Sequence, residues 1–412
     1  MASSADAAAA VALLRRPETV RERCHALLAL AEADRLPHFA LRPERLDAAA
    51  DYVVDTIRTR HPDLAIPYHA RWRHFAAGGR DRWAGLAAGL RGLELAEVAR
   101  MRVELCVVSV LLDAGAGAAW SYAEPGGGAV LRRSEGLAVA SLHAFRAGLF
   151  SGDPARHPLR ADADGLSRVD AAALGRAFQA GPDNPLEGLE GRAELMRNLG
   201  AALRDRPDLF GDGPPRIGGL YDRLLGRATA EGLPAHAILA AVLDGFGPIW
   251  PGRIALGGVG LGDVWHHPLA APDGPAPRLV PFHKLSQWLA YSLVEVFEDA
   301  GVPVSGLDDL TGLPEYRNGG LLLDLGVLAL RDPALADSPL PVGHEAVVEW
   351  RALTVALLDR VAERVRARLG RPGMPLARIL EGGTWAAGRR VAAESRPGGG
   401  PPLRVVSDGT VF

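Results

Sequence analysis

The chain is 412 residues long, and its 48% hydrophobic and 23% charged residues are the balance of a soluble globular protein, not of a disordered or membrane chain. A net charge of −3 and a pI near 6.5 leave no basic excess to neutralise a phosphate backbone, which argues against nucleic acid and for a small-molecule partner.

The N-terminal run "MASSADAAAAVALLRRPETV" is too short to span a bilayer and has no positive segment ahead of its apolar stretch, so it reads as a helix start and not as a signal peptide. Cys24 and Cys106 stand in unrelated surroundings, supply no disulfide framework, and predict a reducing, cytoplasmic location. Apolar residues recur at spacings of three and four in "VRERCHALLALAEADRL", "LDAAADYVVDTIRTRH", "LAEVARMRVELCVVSVLLDA", "GGLYDRLLGRATAEG" and "HEAVVEWRALTVALLDRVAERVRARLG", which predicts helices. Pro37, Pro62, Gly213-Pro214-Pro215, Gly370 and Pro372 supply the stops. The segment "SGDPARHPLRADADG" predicts a loop between an N-terminal helical lobe (1–150) and a C-terminal helical lobe (165–412) of one compact unit. Strand signal is confined mainly to "LRVVSDGTVF", where Asp408-Gly409 predicts a short β-hairpin. The expected fold class is mainly α.

Several chemistries are excluded by spacing. The Gly-x-Gly fragments of "GAGAAW" and "GGVGLGDVW" sit in no strand-turn-helix unit, and no P-loop sequence occurs. "LRVVSDGT" lacks the paired acids and the Thr-Gly-Gly-Thr turn of a phosphoribosyltransferase diphosphate loop. His69, His74, His266, His267 and His344 have neither His-Glu-x-x-His spacing nor cysteine support, so no metal and no cofactor is expected.

Asp113 ends an apolar run and is followed by small residues up to Trp120. A carboxylate taken out of water must be paired, hydrogen-bonded or functional. In "IPYHARWRHF", Tyr68, Trp72 and Phe75 alternate with His69, Arg71, Arg73 and His74, which either builds stacking surfaces and cationic donors for a ligand or puts Trp72 in the core with arginines in solvent. If the Gly-rich turn of "EPGGGAVLRRSEGLAVAS" folds the chain back, Glu124, Arg133 and Glu135 come within reach of Asp113, as an ion-pair network or as the wall of a pocket. Asn184, Glu187, Glu190 and Arg192 crowd a helix start and read as capping. "LTGLPEYRNGGLLLDLGVLAL" sets Glu315, Tyr316, Arg317 and Asn318 in a Gly/Pro-bounded turn, with Asp324 in the apolar run beyond. Two carboxylates in apolar settings with Arg and Tyr to hand suit bond cleavage at a sugar anomeric carbon. Every basic residue but one is arginine; the lone Lys284 offers a compact ammonium for a phosphate or a sugar hydroxyl.

The blocks "IPYHARWRHF", "VSVLLDAGAGAAWSY", "RSEGLAVASLHAF", "NPLEGLEGRAELMRNLG", "PFHKLSQWLAYSLVE", "SPLPVGHEAVVEWRALTVALLD" and "ESRPGGGPPLRVVSDGTVF" resemble, in order over roughly residues 60–412, the family of the fourth component of the ring-opening (URC) route of uracil catabolism. That resemblance implies a ribosyl-urea intermediate and a step that releases urea from the sugar. "LLDAGAGAAW" and "LTGLPEYRNGGLLLDLGVLAL" also resemble two blocks of the queuosine salvage glycosidases, helical proteins of DNA-glycosylase-like lineage that hydrolyse an N-glycosidic bond. Asp113 matches the first-block Asp, and Tyr316 and Arg317 match the Tyr-Arg pair. Glu315 stands where an Asp is expected, Asn318-Gly319 replaces Val-Pro, and Gly115-Ala116 replaces Asn-Phe, which suits a leaving group smaller than queuine. The resemblance implies that Asp113 faces the anomeric carbon and that Tyr316, Glu315 or Glu135 protonates the leaving group. Candidate substrate-binding residues are His69, Arg71, Trp72, Arg73, Trp120, Glu124, Arg133, Lys284, Arg317 and Asn318. Rival readings are an amidohydrolase acting on the urea group and a non-catalytic module binding a nucleoside-like ligand.

Overall fold

The computed structural model describes residues 4–113, 115–126, 128–211, 213–250 and 253–406. Among them, eleven helices have nine residues or more: α1 (Ser4–Leu14), α2 (Pro17–Glu32), α3 (Leu46–Arg60), α4 (Leu95–Leu111), α5 (Arg133–Arg146), α6 (Leu189–Asp205), α7 (Ala235–Phe246), α8 (Lys284–Asp299), α9 (Tyr316–Asp324), α10 (Glu345–Leu369) and α11 (Trp385–Ser395). The described strands are two or three residues long and pair only two by two. The fold is mainly α, as the apolar spacing predicts.

The longest helix shows why. In α10 the side chains from Ala346 to Leu358 are buried almost without a break, because α2, α3 and α9 pack around it. Its start is capped by His344, whose Nδ1 accepts the Ala346 N–H at 3.2 Å, and its end by Gly370 at φ 62. Each fully buried Leu or Val along it contributes about 1.5–3 kcal/mol, far more than intrinsic helix preference supplies. Helix α4 is buried in the same way from Arg102 to Leu111, against α5 and α8, and it delivers Asp113 just past its end.

The local reading differs from the structure at one helix. The helix in "GGLYDRLLGRATAEG" covers only Gly219–Leu225, since Gly226 ends it. Residues 151–162 do form a loop, but one hydrophobic cluster runs from Val20 to Leu403 and draws on both sides of it. Val405–Val406 pairs in parallel with Leu340–Pro341, whereas the hairpin expected at Asp408-Gly409 lies outside the described residues. A π-helical turn, Leu380–Thr384, precedes α11 and has no counterpart in the sequence pattern. Both cysteines are free and buried, and no described helix is long and apolar enough to cross a membrane.

Candidate active site

A cavity of about 390 Å³ opens where the chain leaves α4 and where the first turns of α5, α8 and α9 meet α11. Its wall brings together Asp113, the small residues Gly115 to Ala118, Arg133, Glu135, Lys284, Glu315, Tyr316, Arg317 and His69. It also takes in His74, Trp288, Trp385 and Arg389.

Asp113 is held from behind. Its Oδ2 lies 3.0 Å from Nη1 of Arg71, with the two side chains 6% and 0% exposed. Arg71 is fixed in turn by its Nε–H to Ser109 Oγ at 2.8 Å and by the Trp288 ring, 5.6 Å from the guanidinium carbon. Oδ1 of Asp113 is buried with no hydrogen-bond partner among the described residues. Burial pushes the Asp113 carboxyl above its ordinary range, and the charge of Arg71, the nearby Ser134 side chain and the charges of Arg192 and Lys284 only partly offset this. The loop after Asp113 is clamped by the segment read as capping: Arg192 donates from Nη2 to the Gly115 carbonyl at 2.6 Å, and Asn184 bonds both backbone groups of Ser121. Gly117, at φ 80, passes so close to Glu187 that an added Cβ would meet it at 2.8 Å.

Glu315 lines the cavity, yet both its oxygens are committed. As the N-cap of α9, it accepts the backbone N–H of Arg317 at 2.9 Å and that of Asn318 at 2.7 Å. Burial raises its carboxyl nevertheless, with these bonds and Lys284 opposing. Tyr316 also has its phenol raised by burial, so it stays protonated, and Arg317 lies 4.8 Å over its ring. Glu135, at the rim, pairs with Arg389 at 3.1 Å. The half-buried Lys284 opens α8, and its ammonium is lowered by burial and by Arg351.

His69 is set by a partner that its own segment does not contain. Its Nδ1–H donates to Glu381 Oε2 at 2.7 Å, from the π-helical turn, which leaves Nε2 as the free ring nitrogen of this cavity-lining residue. Trp385 and Trp288 flank the ring at 5.7 and 6.3 Å. His74 packs edge-on against the same two indoles and is held neutral, well below the usual histidine range, by burial and by Arg71.

Besides Arg71, which stands behind Asp113, five other substrate-binding candidates and Asp324 lie off the cavity wall. Trp72 is core, donating from Nε1 to the Ser292 carbonyl at 2.8 Å, and Arg73 pairs with Glu295 at 2.6 Å. Trp120 is fully buried against Phe178 and donates to its carbonyl at 3.0 Å. The Gly-rich turn does fold back, pairing Tyr122 with Leu131, but Glu124 is drawn away by Arg82 through bonds of 2.8 and 2.6 Å. Asn318 is buried and donates to the Leu313 carbonyl at 3.0 Å. Asp324, the second acid in an apolar run, is locked to Arg396 at 2.6 and 2.7 Å. Sequence reasoning missed Glu381, Trp288, Trp385 and Arg389; the cue it held was the aromatic-basic block "TWAAGRR".

Comparison with known proteins extends the similarity towards the N-terminus. The family described as a protein of unknown function (DUF1688) matches residues 13–412. Protein urg3 of Schizosaccharomyces pombe is 39% identical over 413 residues, covering 98% of this chain and 99% of its own length. Uracil catabolism protein 4 of Lachancea kluyveri is 38% identical over 413 residues, covering 91% of this chain and 92% of its own. Similarity of this level, from end to end, makes the chain a member of the DUF1688 family and a homologue of Uracil catabolism protein 4.

Proposed function

We propose that the protein acts in uracil catabolism as an N-glycosidic-bond hydrolase that releases urea from a ribosyl-urea. Its relationship to Uracil catabolism protein 4 supports the pathway. The observation that carries the chemistry is Asp113: a buried carboxylate in the cavity wall, with one oxygen on Arg71 and the other without a hydrogen-bond partner among the described residues.

Arg71, 3.0 Å away, favours the ionised form that burial disfavours, and in that form the carboxylate is an anion beside the space where positive charge develops. In the reaction, water adds its oxygen to the anomeric carbon and gives one proton to Asp113 as the C–N bond breaks. The bonding pair leaves with the urea nitrogen, which takes a proton from the opposite wall; the products are ribose and urea. Glu315 is spent on capping and Glu135 on Arg389, which favours His69 as that proton donor, in an imidazolium form whose Nδ1–H the Glu381 carboxylate accepts and whose Nε2–H is given to the leaving nitrogen; Tyr316 is the neutral candidate. Trp288 and Trp385 supply apolar walls that limit water.

The test is turnover of synthetic ribosyl-urea. Urea appearing with equimolar free ribose supports the reading. Ammonia or carbon dioxide with the glycosidic bond intact would assign urea-group hydrolysis, and tight binding without product would assign a binding module.

A further inference from the structure

We propose that the mouth of the cavity is a phosphate site, so that the ligand is a sugar 5-phosphate and the substrate a ribosyl-urea 5-phosphate. The sugar's identity rests on the glycosidase reading; the anion site does not. A second hollow of about 520 Å³ adjoins the first and shares Arg133, Arg317 and Arg389 with it. The two hollows therefore meet at three arginines.

Two of these arginines lack a carboxylate. Arg389 pairs with Glu135, whereas Arg133 and Arg317 have no ion-pair partner among the described residues. Arg317 is only 8% exposed, and a cation so buried without a counter-ion is costly unless a ligand supplies one. Arg133 opens α5 with φ 53, a left-handed conformation that a non-glycine residue adopts only under constraint, and this strain lies at the shared wall.

The surroundings favour an anion further. The first turns of α5, α8 and α9 line the inner cavity, and helix N-termini carry partial positive charge towards it. The acids that face this region are already engaged: Asp113 by Arg71, Glu315 by α9, Glu135 by Arg389 and Glu394 by Arg390. Gly398, at φ 76, lines the outer hollow and has nothing within 4 Å of where a Cβ would be. Planar guanidinium forks suit phosphate oxygens bidentately, and the sugar then points its anomeric carbon inwards to Asp113.

The experiment is calorimetric titration with ribose 5-phosphate, ribose and inorganic phosphate, on the parent and on Arg133→Gln and Arg317→Gln. Ribose 5-phosphate is expected to bind far more tightly than ribose, and each variant to weaken it by about tenfold or more, the scale of one charge-assisted hydrogen bond, without changing the affinity for ribose. Arg133 is exposed, so its variant carries the test if Arg317→Gln does not fold. Equal binding of ribose and ribose 5-phosphate, or unchanged binding in Arg133→Gln, would overturn the proposal. So would inorganic phosphate binding as tightly as ribose 5-phosphate, which would mark an anion site detached from a sugar. If no ribosyl-urea, phosphorylated or not, is cleaved while ribose 5-phosphate still binds through Arg133, the glycosidase reading falls and the phosphate site stands.

Discussion

Replacing Asp113 with Asn removes a charge and keeps an oxygen for Arg71, which separates the two roles of this carboxylate. The pair lies at 3.0 Å with the guanidinium fully buried. Deleting one partner of such a pair costs about 3–5 kcal/mol, and an amide oxygen that still accepts the Arg71 bond should hold the loss to about 2–3 kcal/mol. Turnover should fall by at least about a hundredfold, equivalent to about 2.7 kcal/mol of barrier, because the charge opposite the oxocarbenium ion is gone. Guanidinium chloride denaturation reads the first effect and urea release the second. Adding Arg71→Met removes the uncompensated charge, so the double variant should regain at least half of the lost stability and none of the turnover. Parental turnover in Asp113→Asn would reduce the residue to a counter-ion. Recovery of turnover in the double variant would show that it serves only to neutralise Arg71.

Since burial holds Asp113 above the ordinary carboxylate range, kcat/KM should fall as pH is lowered through an acid limb above about pH 4, a limb missing from Asp113→Asn. Glu381→Gln should lower kcat by about tenfold or more with KM little changed, and nitrogen NMR of the His69 ring should show a shifted tautomer balance; an unaltered ring would leave Glu381 a packing residue. Lys284→Arg crowds a half-buried site beside Arg351, so it should cost about 1–3 kcal/mol of stability and raise KM, whereas kinetics matching the parent would make the lone lysine incidental. Burial pushes the Glu295 carboxyl up to about 7 despite Arg73, so the folded state holds that proton more tightly than the unfolded chain does. The parent should therefore lose stability relative to Glu295→Gln as pH rises from about 4.5 to about 7, by up to about 3 kcal/mol, and a pH-independent difference would refute this.

Helices α2, α3, α4 and α10 were legible because their spacing is a local property, readable wherever apolar residues recur every third or fourth position. The "LPEYRN" segment, expected as a turn, is the N-cap and first turn of α9, and as a local feature it put Glu315, Tyr316 and Arg317 on the cavity together, while the Gly-rich turn brought Arg133 and Glu135 back to Asp113. The oddity of Asp113 was visible as a carboxylate ending an apolar run, but its partner was not. Arg71, Arg73 and Arg82 are chemically alike in sequence, and only packing decided that the first takes Asp113, the second Glu295 and the third Glu124. Glu124 left the cavity because Arg82 offered it a bidentate pair, a competition between distant elements that no spacing encodes. Glu381, Trp385 and Arg389 arrived from a π-helical turn and α11, where a single widened turn changes which side chains point inwards without altering the composition. Local periodicity determined the helices and the residues adjacent to them; pairing and burial, which depend on contacts between segments far apart in the chain, were decided only when those segments packed.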